Sequence, residues 1–178
     1  FGHDGVAVLD GGLGRWRAEG RPLESGLPTS PVAPVRFTAS PRPELVASWR
    51  DVAAALADHT AQVVDARSPG RFAGSEPEPR AGIRGGHIPG SRNLPYPDLV
   101  APDGMLLPDE ALRQRLGAAG LRLDRPAIAL CGSGVTACAI LLALEQLGCP
   151  GGRLYDGSWT EWGGRADLPV ETGPANPD

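Results

Sequence analysis

The residues best suited to covalent chemistry lie in one short loop, Cys131–Cys138, with the sequence CGSGVTAC. The loop follows the apolar run Ala127–Leu130, and a helical pattern begins directly after it. Sulfur attacks another atom as a thiolate, and a free cysteine is mostly protonated at neutral pH. A nucleophilic Cys131 therefore needs a loop that stabilises negative charge on its sulfur.

The loop has the composition of an anion-binding nest. Gly132 and Gly134 permit a backbone curl in which several N–H groups point inward. The following helix adds the positive end of its dipole and its unpaired first-turn N–H groups. Ser133 and Thr136 can each donate a hydroxyl hydrogen bond. We expect this loop to hold Cys131 as a thiolate, or equally as a persulfide anion.

Alternatives to a nucleophilic loop differ in how well they fit the sequence. Cys131 could be an inert buried thiol beside a glycine turn, because free cysteines are commonly buried. Cys138 and Cys149 are expected to serve packing only. A phosphate-loop NTPase needs Gly-Lys-Ser/Thr, which is absent. A cysteine phosphatase of the C-x5-R type needs arginine where this chain has Ala137, so a transferring phosphoryl group would lack its guanidinium partner.

Composition narrows the class of protein further. The 178 residues carry a net charge of -4, which gives no reason to expect nucleic acid or a membrane surface as partner. The 17 basic residues are all arginine, so lysine-based mechanisms are excluded for this chain. Three cysteines do not form a disulfide framework or a zinc spacing, and no metal or cofactor is expected. A reducing, cytoplasmic location is the expectation, and the longest apolar run, 137–144, is too short to cross a bilayer.

Alternating strand and helix patterns predict an α/β fold. Buried strands are predicted at 61–66, 127–130 and within 152–157, and helices over 44–56, 108–120 and 136–147. This alternation implies a mainly parallel central sheet with helices on both faces. Ligands of such sheets bind at the carboxyl ends of the strands, and Cys131 lies at such an end.

Details of the three helices are also predicted. The first should have Pro43 in its first turn. Its apolar face should contain Leu45, Val46, Trp49, Val52, Ala53 and Leu56. Asp109 should cap the start of the second helix and Gly120 its end. The third is apolar nearly all round, which predicts that it is covered on most sides, and Gly148 should end it.

Two segments of the chain resemble each other. Residues 9–26 and 155–173 both carry Asp-Gly, a Trp six residues after the Asp, and then Pro-aliphatic-Glu-hydroxyl-Gly, with one extra residue before the proline in the second copy. Each follows a short β-like segment, Val6–Val8 and Arg153–Leu154. These matches indicate an internal repeat; the alternative is two unrelated strand-turn-helix units.

Three stretches together resemble the rhodanese superfamily, and in particular the C-terminal catalytic half of two-domain sulfurtransferases of the 3-mercaptopyruvate type. They are VVDARSPGRFAGSEPEPRAGIRGGHIPGSRNLPY (63–96), CGSGVTAC (131–138) and LYDGSWTEWG (154–163). The resemblance implies a rhodanese-like fold for residues 36–178. With the repeat, it implies that residues 1–26 are the tail of a preceding rhodanese-like domain, joined by a proline-rich linker at 27–35. That domain is expected as a partner, supplying an acid and a histidine near the active cysteine.

The resemblance implies a two-step sulfur transfer. Cys131 would take sulfur from 3-mercaptopyruvate as a persulfide, releasing pyruvate, and pass it to cyanide or to a thiol acceptor, either a small thiol or a thioredoxin-like protein. Ser133 would relay a proton to the departing enolate. Arg71 and Arg80 would bind the donor's carboxylate and keto oxygens. The loop residues Gly132, Gly134, Val135 and Thr136 would complete the substrate site.

Two further functions stay open. A thiosulfate:cyanide sulfurtransferase is one, although relatives that prefer this dianion carry basic residues where this loop has uncharged Gly-Ser-Gly. A sulfur-carrier module that does not turn over is the other. The remaining polar and aromatic candidates are expected to be structural: an Asp65–Arg67 ion pair, a loop hydrogen bond from His87, and packing of Trp159 and Trp162, with Trp159 also a candidate pocket wall.

Overall fold

The protein is built around one sheet of five short parallel strands. The computed structural model describes residues 1–26 and 36–175, so the proposed linker at 27–35 lies outside the described residues. The strands are β1 (Val46–Ala47), β2 (Gln62–Asp65), β3 (Arg92–Asn93), β4 (Ala127–Leu130) and β5 (Gly152–Tyr155), in the order β1-β5-β4-β2-β3. All the pairings are parallel, which confirms the predicted class of sheet.

Helices cover both faces of this sheet. The α-helices are α1 (Gly12–Ala18), α2 (Trp49–Ala57), α3 (Pro69–Ala73), α4 (Asp109–Ala118), α5 (Ala137–Gln146) and α6 (Ser158–Gly164), with 3-10 turns at Pro43–Leu45 and Tyr96–Leu99. No helix in the described parts of the chain is both long and apolar enough to cross a membrane.

The core is divided into two layers by the sheet. On one face the side chains of α4 and α5 pack with Val64 and Ala129. On the other face those of α2 and α6 pack with Val63 and Ile128. Since β4 is the central strand and its four residues are all buried, the residue that follows it has a fixed position. That residue is Cys131.

The helix predicted over 44–56 is wrong in its first half. Val46 and Ala47 form the edge strand β1, paired with β5 at Leu154 and Tyr155. The helix begins only after Ser48, whose hydroxyl accepts a hydrogen bond from the Asp51 N–H while the Asp51 carboxylate accepts one from the Ser48 N–H. This capping box fixes the start of α2 at Trp49.

The predicted apolar face of that helix fails at the same point. Leu45 and Val46 are 49% and 47% exposed, because they precede the helix. Val52 is fully buried, and Ala53 and Leu56 are half-buried against the core as expected. Pro43 starts a 3-10 turn instead of the α-helix.

Two other helix predictions need correction. Asp109 does not cap α4: the N-cap position is Pro108, and the Asp109 carboxylate instead accepts a hydrogen bond from Gln146 Nε2 at 2.6 Å. Helix α5 is not covered on most sides, since Cys138 and Leu142 on its outer face are exposed. The helix ends before Gly148, whose φ of 69° is left-handed, as expected.

The two copies of the proposed repeat each contain the same kind of local hydrogen bond, from a tryptophan to a proline carbonyl. Trp16 Nε1 donates to the Pro22 carbonyl at 2.9 Å, and Trp162 Nε1 donates to the Pro169 carbonyl at 2.7 Å. The extra residue of the second copy lies between its tryptophan and its proline, as the sequence comparison placed it. Helix α1 buries no residue, and the predicted strand over 6–8 is not present as a strand.

Candidate functional site

Cys131 lies at the carboxyl end of the central strand and at the start of the loop that leads into α5. Its side chain is nearly covered, with 3% of the residue exposed. The start of α6 holds the backbone around it. The Ser158 hydroxyl accepts a hydrogen bond from the Cys131 N–H at 3.2 Å, and the Trp159 N–H donates to the Cys131 carbonyl at 2.9 Å. Ser158 itself has a left-handed φ of 52°, so this anchor is held in a strained conformation.

The loop surrounds the Cys131 sulfur with hydrogen-bond donors. Burial alone would raise the pKa of the Cys131 thiol, but the Thr136 hydroxyl and the N–H groups of Ser133, Ala137 and Thr136 outweigh it and lower that pKa. Hydrogen bonds to the charged form favour the thiolate. The lowered pKa of Cys131 agrees with the nest predicted from the sequence. The groups that lower it are a hydroxyl and backbone N–H groups, and no basic side chain is among them.

The other two cysteines have the opposite electrostatics. Burial, followed by the charges of Cys131 and Asp156, raises the pKa of the Cys138 thiol. Burial likewise raises the pKa of Cys149. All three cysteines are free thiols. Only Cys131 therefore has surroundings that favour a thiolate.

A cavity of about 270 Å³ opens beside Cys131. It brings together most of the residues that the sequence marked as a site: Arg71, Arg80, Cys131, Gly132, Ser133, Val135 and Thr136. Glu78, Pro79, Ile83 and Thr160 complete the wall. Gly134 does not line this cavity. The wall thus combines one thiol, two guanidinium groups and several hydroxyl groups.

Gly134 has a structural task in the loop. Its φ is +83°, a left-handed conformation that disfavours any residue with a Cβ atom. A Cβ there would also lie 3.2 Å from the Asp156 carbonyl and carboxylate oxygens. Both facts require glycine at this position, and the turn it makes directs the next N–H groups toward the sulfur. The Ser133 and Val135 side chains on either side are exposed at the mouth of the cavity.

The Arg71 guanidinium lies beside Gly132, the loop residue that follows the thiol. Its Nη2 would be 3.0 Å from a Cβ on Gly132, so the missing side chain of that glycine makes room for the guanidinium. Glu78 fixes the orientation through two contacts, at 2.6 Å to Nη2 and 3.2 Å to Nε. Arg71 is 25% exposed and the Glu78 side chain only 5%. Glu78 was not predicted as a site residue, although it stands two residues before Arg80.

Arg80 also lines this cavity, and Thr160 holds its guanidinium. Arg80 Nη1 donates to the Thr160 hydroxyl oxygen, and the Thr160 hydroxyl donates to the Gly132 carbonyl at 2.5 Å. The Thr160 N–H donates to the same carbonyl at 3.1 Å. Thr160 therefore connects the Arg80 guanidinium to the residue after the thiol. No sequence pattern indicates this role, because Thr160 lies in α6, 28 residues beyond Gly132.

A buried ion-pair network supports the Arg71 wall. Arg67 contacts the Asp65 carboxylate at 2.7 Å and the Glu78 carboxylate at 2.8 Å, and each of these side chains is at most 5% exposed. The Arg67 guanidinium also lies 4.3 Å from the centre of the Trp159 ring. This arrangement agrees with the structural role predicted for Asp65 and Arg67. Glu78 links this network to the cavity, because it pairs with both Arg67 and Arg71 and so positions the Arg71 guanidinium.

The remaining candidates are structural, as expected. His87 Nδ1 is 3.0 Å from the Phe72 carbonyl, and its ring stacks on the Phe72 ring with centroids 3.9 Å apart. Trp159 and Trp162 are buried. Trp159 Nε1 donates to the Arg84 carbonyl at 2.9 Å, and its ring does not line the cavity beside Cys131. In the described residues there is no cluster of three or more His, Cys, Asp or Glu side chains that could hold a metal.

Comparisons with known proteins agree with this architecture. A family model described as "Rhodanese-like domain" matches residues 48–165. The chain is 45% identical over 171 residues to 3-mercaptopyruvate sulfurtransferase of Escherichia coli (strain K12), covering 96% of this chain and 60% of the relative. It is 44% identical over 191 residues to thiosulfate/3-mercaptopyruvate sulfurtransferase 1, mitochondrial, of Arabidopsis thaliana, covering 97% and 50%.

Solved structures give the same result. The crystal structure of SseA from Escherichia coli, a 3-mercaptopyruvate sulfotransferase with the rhodanese fold, matches with a TM-score of 0.77 and 40% identity, over 89% of this chain and 58% of that one. This chain thus spans between half and three-fifths of the length of the two relatives above. Its family model, its parallel sheet and its cysteine loop show that the chain belongs to the rhodanese-like domain family.

Proposed function

We propose that this protein is a sulfurtransferase that moves sulfur from 3-mercaptopyruvate to a thiol or to cyanide through a persulfide on Cys131. The observation that carries the proposal is the sulfur's surroundings. Three N–H groups and the Thr136 hydroxyl lower the pKa of the Cys131 thiol inside a cavity with two arginines in its wall. Such a loop can stabilise a thiolate before the reaction and a persulfide anion after it.

The first half-reaction forms one bond and breaks another. The Cys131 thiolate attacks the sulfur of 3-mercaptopyruvate, an S–S bond forms, and the donor's C–S bond breaks. The electron pair of that bond leaves on carbon as the enolate of pyruvate, which then takes a proton. Ser133, whose side chain is exposed at the cavity mouth, is the proposed relay for that proton. The products are pyruvate and the Cys131 persulfide.

The second half-reaction restores the enzyme. The acceptor, as a thiolate or as cyanide, attacks the outer sulfur of the persulfide. The S–S bond breaks, its electron pair returns to Cys131 as the thiolate, and the acceptor leaves as a persulfide or as thiocyanate. The loop donates hydrogen bonds to negatively charged sulfur, so it stabilises the Cys131 thiolate, which is the leaving group of this step.

Arg71 and Arg80 are the proposed partners of the donor's carboxylate and keto oxygens. They lie in the same cavity wall as Gly132, held by Glu78 and Thr160 respectively. A guanidinium fork matches a carboxylate in geometry and charge. The loop between them and the sulfur, Gly132–Gly134, carries no charge, which suits a monoanionic donor better than the thiosulfate dianion.

Thiosulfate is the second candidate donor. The Arabidopsis relative bears both donors in its name, and two arginines could also hold a dianion. Measuring kcat/KM for pyruvate release from 3-mercaptopyruvate and for thiocyanate formation from thiosulfate separates the two. The proposal predicts that 3-mercaptopyruvate is preferred at least tenfold. A preference for thiosulfate would move the assignment to a thiosulfate:cyanide sulfurtransferase.

A third outcome identifies a carrier. Formation of the persulfide without sustained turnover, with either cyanide or a small thiol as acceptor, would assign a module that delivers sulfur to a protein partner. Thioredoxin-like proteins are the acceptor class to test, because they present an exposed thiolate.

The three free thiols suit a reducing compartment, which is consistent with the cytoplasm.

We also propose that residues 1–26 end a rhodanese-like domain that precedes the catalytic one. The matched hydrogen bonds of Trp16 and Trp162 support this proposal, because they occur at the same place in both copies of the repeat. A partner domain of this kind would cover the cavity mouth. Adding the preceding domain of the parent protein in trans tests it: the expected result is a rise in kcat.

A further inference from the structure

The cavity beside Cys131 has a neighbour of about 480 Å³, which we call the side cavity. Its wall is formed by residues 66–69 and 95–98, together with Arg71 and Thr136. Arg71 and Thr136 also line the cavity beside Cys131, so the two cavities share a wall. The Thr136 hydroxyl donates to the Cys131 sulfur. Thr136 therefore links the side cavity directly to the reacting sulfur.

The topology of the sheet explains why the side cavity lies there. Residues 66–69 come after β2, and residues 95–98 come after β3. In the sheet β2 lies between β4 and β3, and the three strands are parallel. Their carboxyl ends therefore meet at the edge where ligands of such sheets bind. The side cavity is the next crevice along this edge from Cys131.

The two guanidinium groups in the wall of the side cavity are already paired. Arg67 contacts Asp65 and Glu78, and Arg71 contacts Glu78. These two cations and two carboxylates cancel, so the network brings no net charge to the cavity. The remaining charged residue of the wall is Asp98, whose carboxylate has no ion-pair or hydrogen-bond partner in the described parts of the chain. The side cavity therefore carries a negative charge.

The cavity beside Cys131 carries the opposite charge. Its charged lining residues are Arg71, Arg80 and Glu78. Arg71 pairs with Glu78, whereas Arg80 is bonded to the uncharged Thr160 hydroxyl and has no carboxylate partner among the residues that the structure describes. One positive charge therefore remains, which suits an anionic donor. The charges of the two cavities thus favour two different ligands, an anion in one and a cation in the other.

Tyr96 adds a second group that attracts cations. It stands two residues before Asp98 in the 3-10 turn Tyr96–Leu99, and it is 43% exposed. Its side chain has no hydrogen-bond or ring partner within the described ranges 1–26 and 36–175. An ammonium group is attracted both to the face of an aromatic ring and to a carboxylate. Pro95 and Pro97 line the same wall and supply apolar surface for a short carbon chain.

We propose that the side cavity binds the sulfur acceptor, and that this acceptor is a small thiol with a protonated amino group. The inference rests on the proposed sulfur transfer through Cys131. The ammonium group binds at Tyr96 and Asp98, and the thiol lies at the wall formed by Thr136. The volume of the cavity falls within the range of small-molecule sites.

The transfer in the side cavity is an exchange between a thiolate and the Cys131 persulfide. The acceptor's thiol first loses its proton to solvent. Its thiolate then attacks the outer sulfur of the persulfide, and a new S–S bond forms. The S–S bond to Cys131 breaks, and its electron pair returns to Cys131 as the thiolate. The aminothiol leaves as its own persulfide, so the step needs no added oxidant or reductant.

Sulfur transfer from 3-mercaptopyruvate to cysteamine, compared with transfer to 2-mercaptoethanol, tests the proposal. The two thiols have the same chain length, but only cysteamine carries an ammonium group. Asp98→Asn should lower kcat/KM for cysteamine about two- to fivefold, the effect of one exposed ion pair, and should leave the value for 2-mercaptoethanol unchanged. Because each thiol is compared with itself in two proteins, the difference between the pKa values of the two thiols cancels.

Asp58→Asn is the matched control. Asp58 is also exposed, but it follows α2 and precedes β2, so it lies at the opposite end of the sheet. This variant should transfer sulfur to cysteamine as the parent does. Tyr96→Leu should reduce transfer to cysteamine more than transfer to 2-mercaptoethanol. Equal changes for both thiols in Asp98→Asn, or no change for either, would overturn the assignment of this site.

A titration with propylammonium, followed by backbone amide NMR, tests the same site without sulfur transfer. Propylammonium has a methyl group in place of the thiol of cysteamine. Saturable shifts are expected at the amides of Tyr96, Asp98 and Thr136, and binding should weaken in Asp98→Asn. Shifts that are absent, or equal in both proteins, would overturn the site. If no acceptor, cyanide included, receives sulfur, the proposed reaction is contradicted, and this titration still shows whether the cavity binds ammonium groups.

Discussion

The Thr160 hydroxyl donates a hydrogen bond to the carbonyl oxygen of Gly132 at 2.5 Å while its oxygen accepts one from Arg80. Thr160, a residue of α6, thus holds in place both Gly132, which follows the thiol, and Arg80 in the cavity wall. Because the hydroxyl both accepts and donates, valine, which has the same shape, cannot replace it.

Thr160→Val should lower kcat/KM for 3-mercaptopyruvate about 5- to 30-fold, the value of one or two hydrogen bonds near 1 kcal/mol each. If Thr160 positions Arg80 for binding, KM should rise more than kcat falls. Thr160→Ser keeps the hydroxyl and should restore most of the activity. Equal activity of the valine and serine variants would show that Thr160 only packs.

Thr136→Val should raise the pKa of the Cys131 thiol, since it removes the hydroxyl that donates to the sulfur. A hydrogen bond to a charged group contributes about 1.5–3 kcal/mol, which corresponds to roughly 1–2 pH units. The measurement is the rate of iodoacetamide labelling of Cys131 against pH, read by peptide mapping. The parent should label at lower pH than the variant.

The lowered pKa of Cys131 also predicts how sulfur transfer depends on pH. A lowered thiol pKa keeps the thiolate populated at neutral pH, so transfer should be lost only as the pH falls through that pKa. Cys138 and Cys149, whose pKa values are raised, should label only at higher pH. An identical pH dependence for all three cysteines would contradict the nest.

Arg71→Ala and Arg80→Ala should each lower kcat/KM for 3-mercaptopyruvate roughly 10- to 200-fold, the loss of a charge-assisted hydrogen bond. Labelling of Cys131 by a neutral reagent should change little, because neither guanidinium donates to the sulfur. Arg115→Ala, on the exposed face of α4, is the matched control. If the two cavity variants bound the donor as well as this control does, the carboxylate would have another partner.

Arg67→Met should destabilise the fold strongly. It leaves the Asp65 carboxylate buried without its guanidinium partner and removes one of the two guanidinium groups that pair with Glu78, which keeps Arg71. Leaving a buried carboxylate unpaired typically costs about 3–5 kcal/mol. A fall in Tm of about 10 °C is expected for a chain of this size. Arg21→Met removes an exposed pair with Glu19 and should change Tm far less. Similar Tm values for both variants would show that the buried network contributes no more than a surface pair.

The sequence predicts the strands and loop that place the thiol better than the groups that orient it. The run at 127–130 is apolar throughout and the run at 61–66 has Val63 and Val64 at its centre, a pattern of strands buried on both faces. Both are present, as β4 and β2. Cys131 follows from them, because a parallel sheet brings its chemistry to the carboxyl ends of the strands.

The edge strands were missed for a physical reason. β1 and β3 have two residues each, too few for a two-residue period to be seen. Val46 also lies at helical spacing from Trp49 and Ala53, so the pattern favoured a longer helix. The capping box of Ser48 and Asp51 was the local signal for the true start.

Glu78 and Thr160 could not be found from periodicity. Both act through contacts with residues distant in the chain, or across a loop without regular structure, and their types occur throughout the surface. The nest differs because its donors, Ser133, Thr136 and Ala137, all lie within six residues after the cysteine.

The decisive measurement for sulfur transfer through Cys131 is a single-turnover reaction with 3-mercaptopyruvate, followed by intact mass and peptide mapping. The protein should gain one sulfur atom on Cys131 and release one equivalent of pyruvate. Cys131→Ser should gain none, and Cys138→Ser should gain as much as the parent. Sulfur on Cys138 or Cys149, or pyruvate release that persists in Cys131→Ser, would contradict transfer through a persulfide on Cys131.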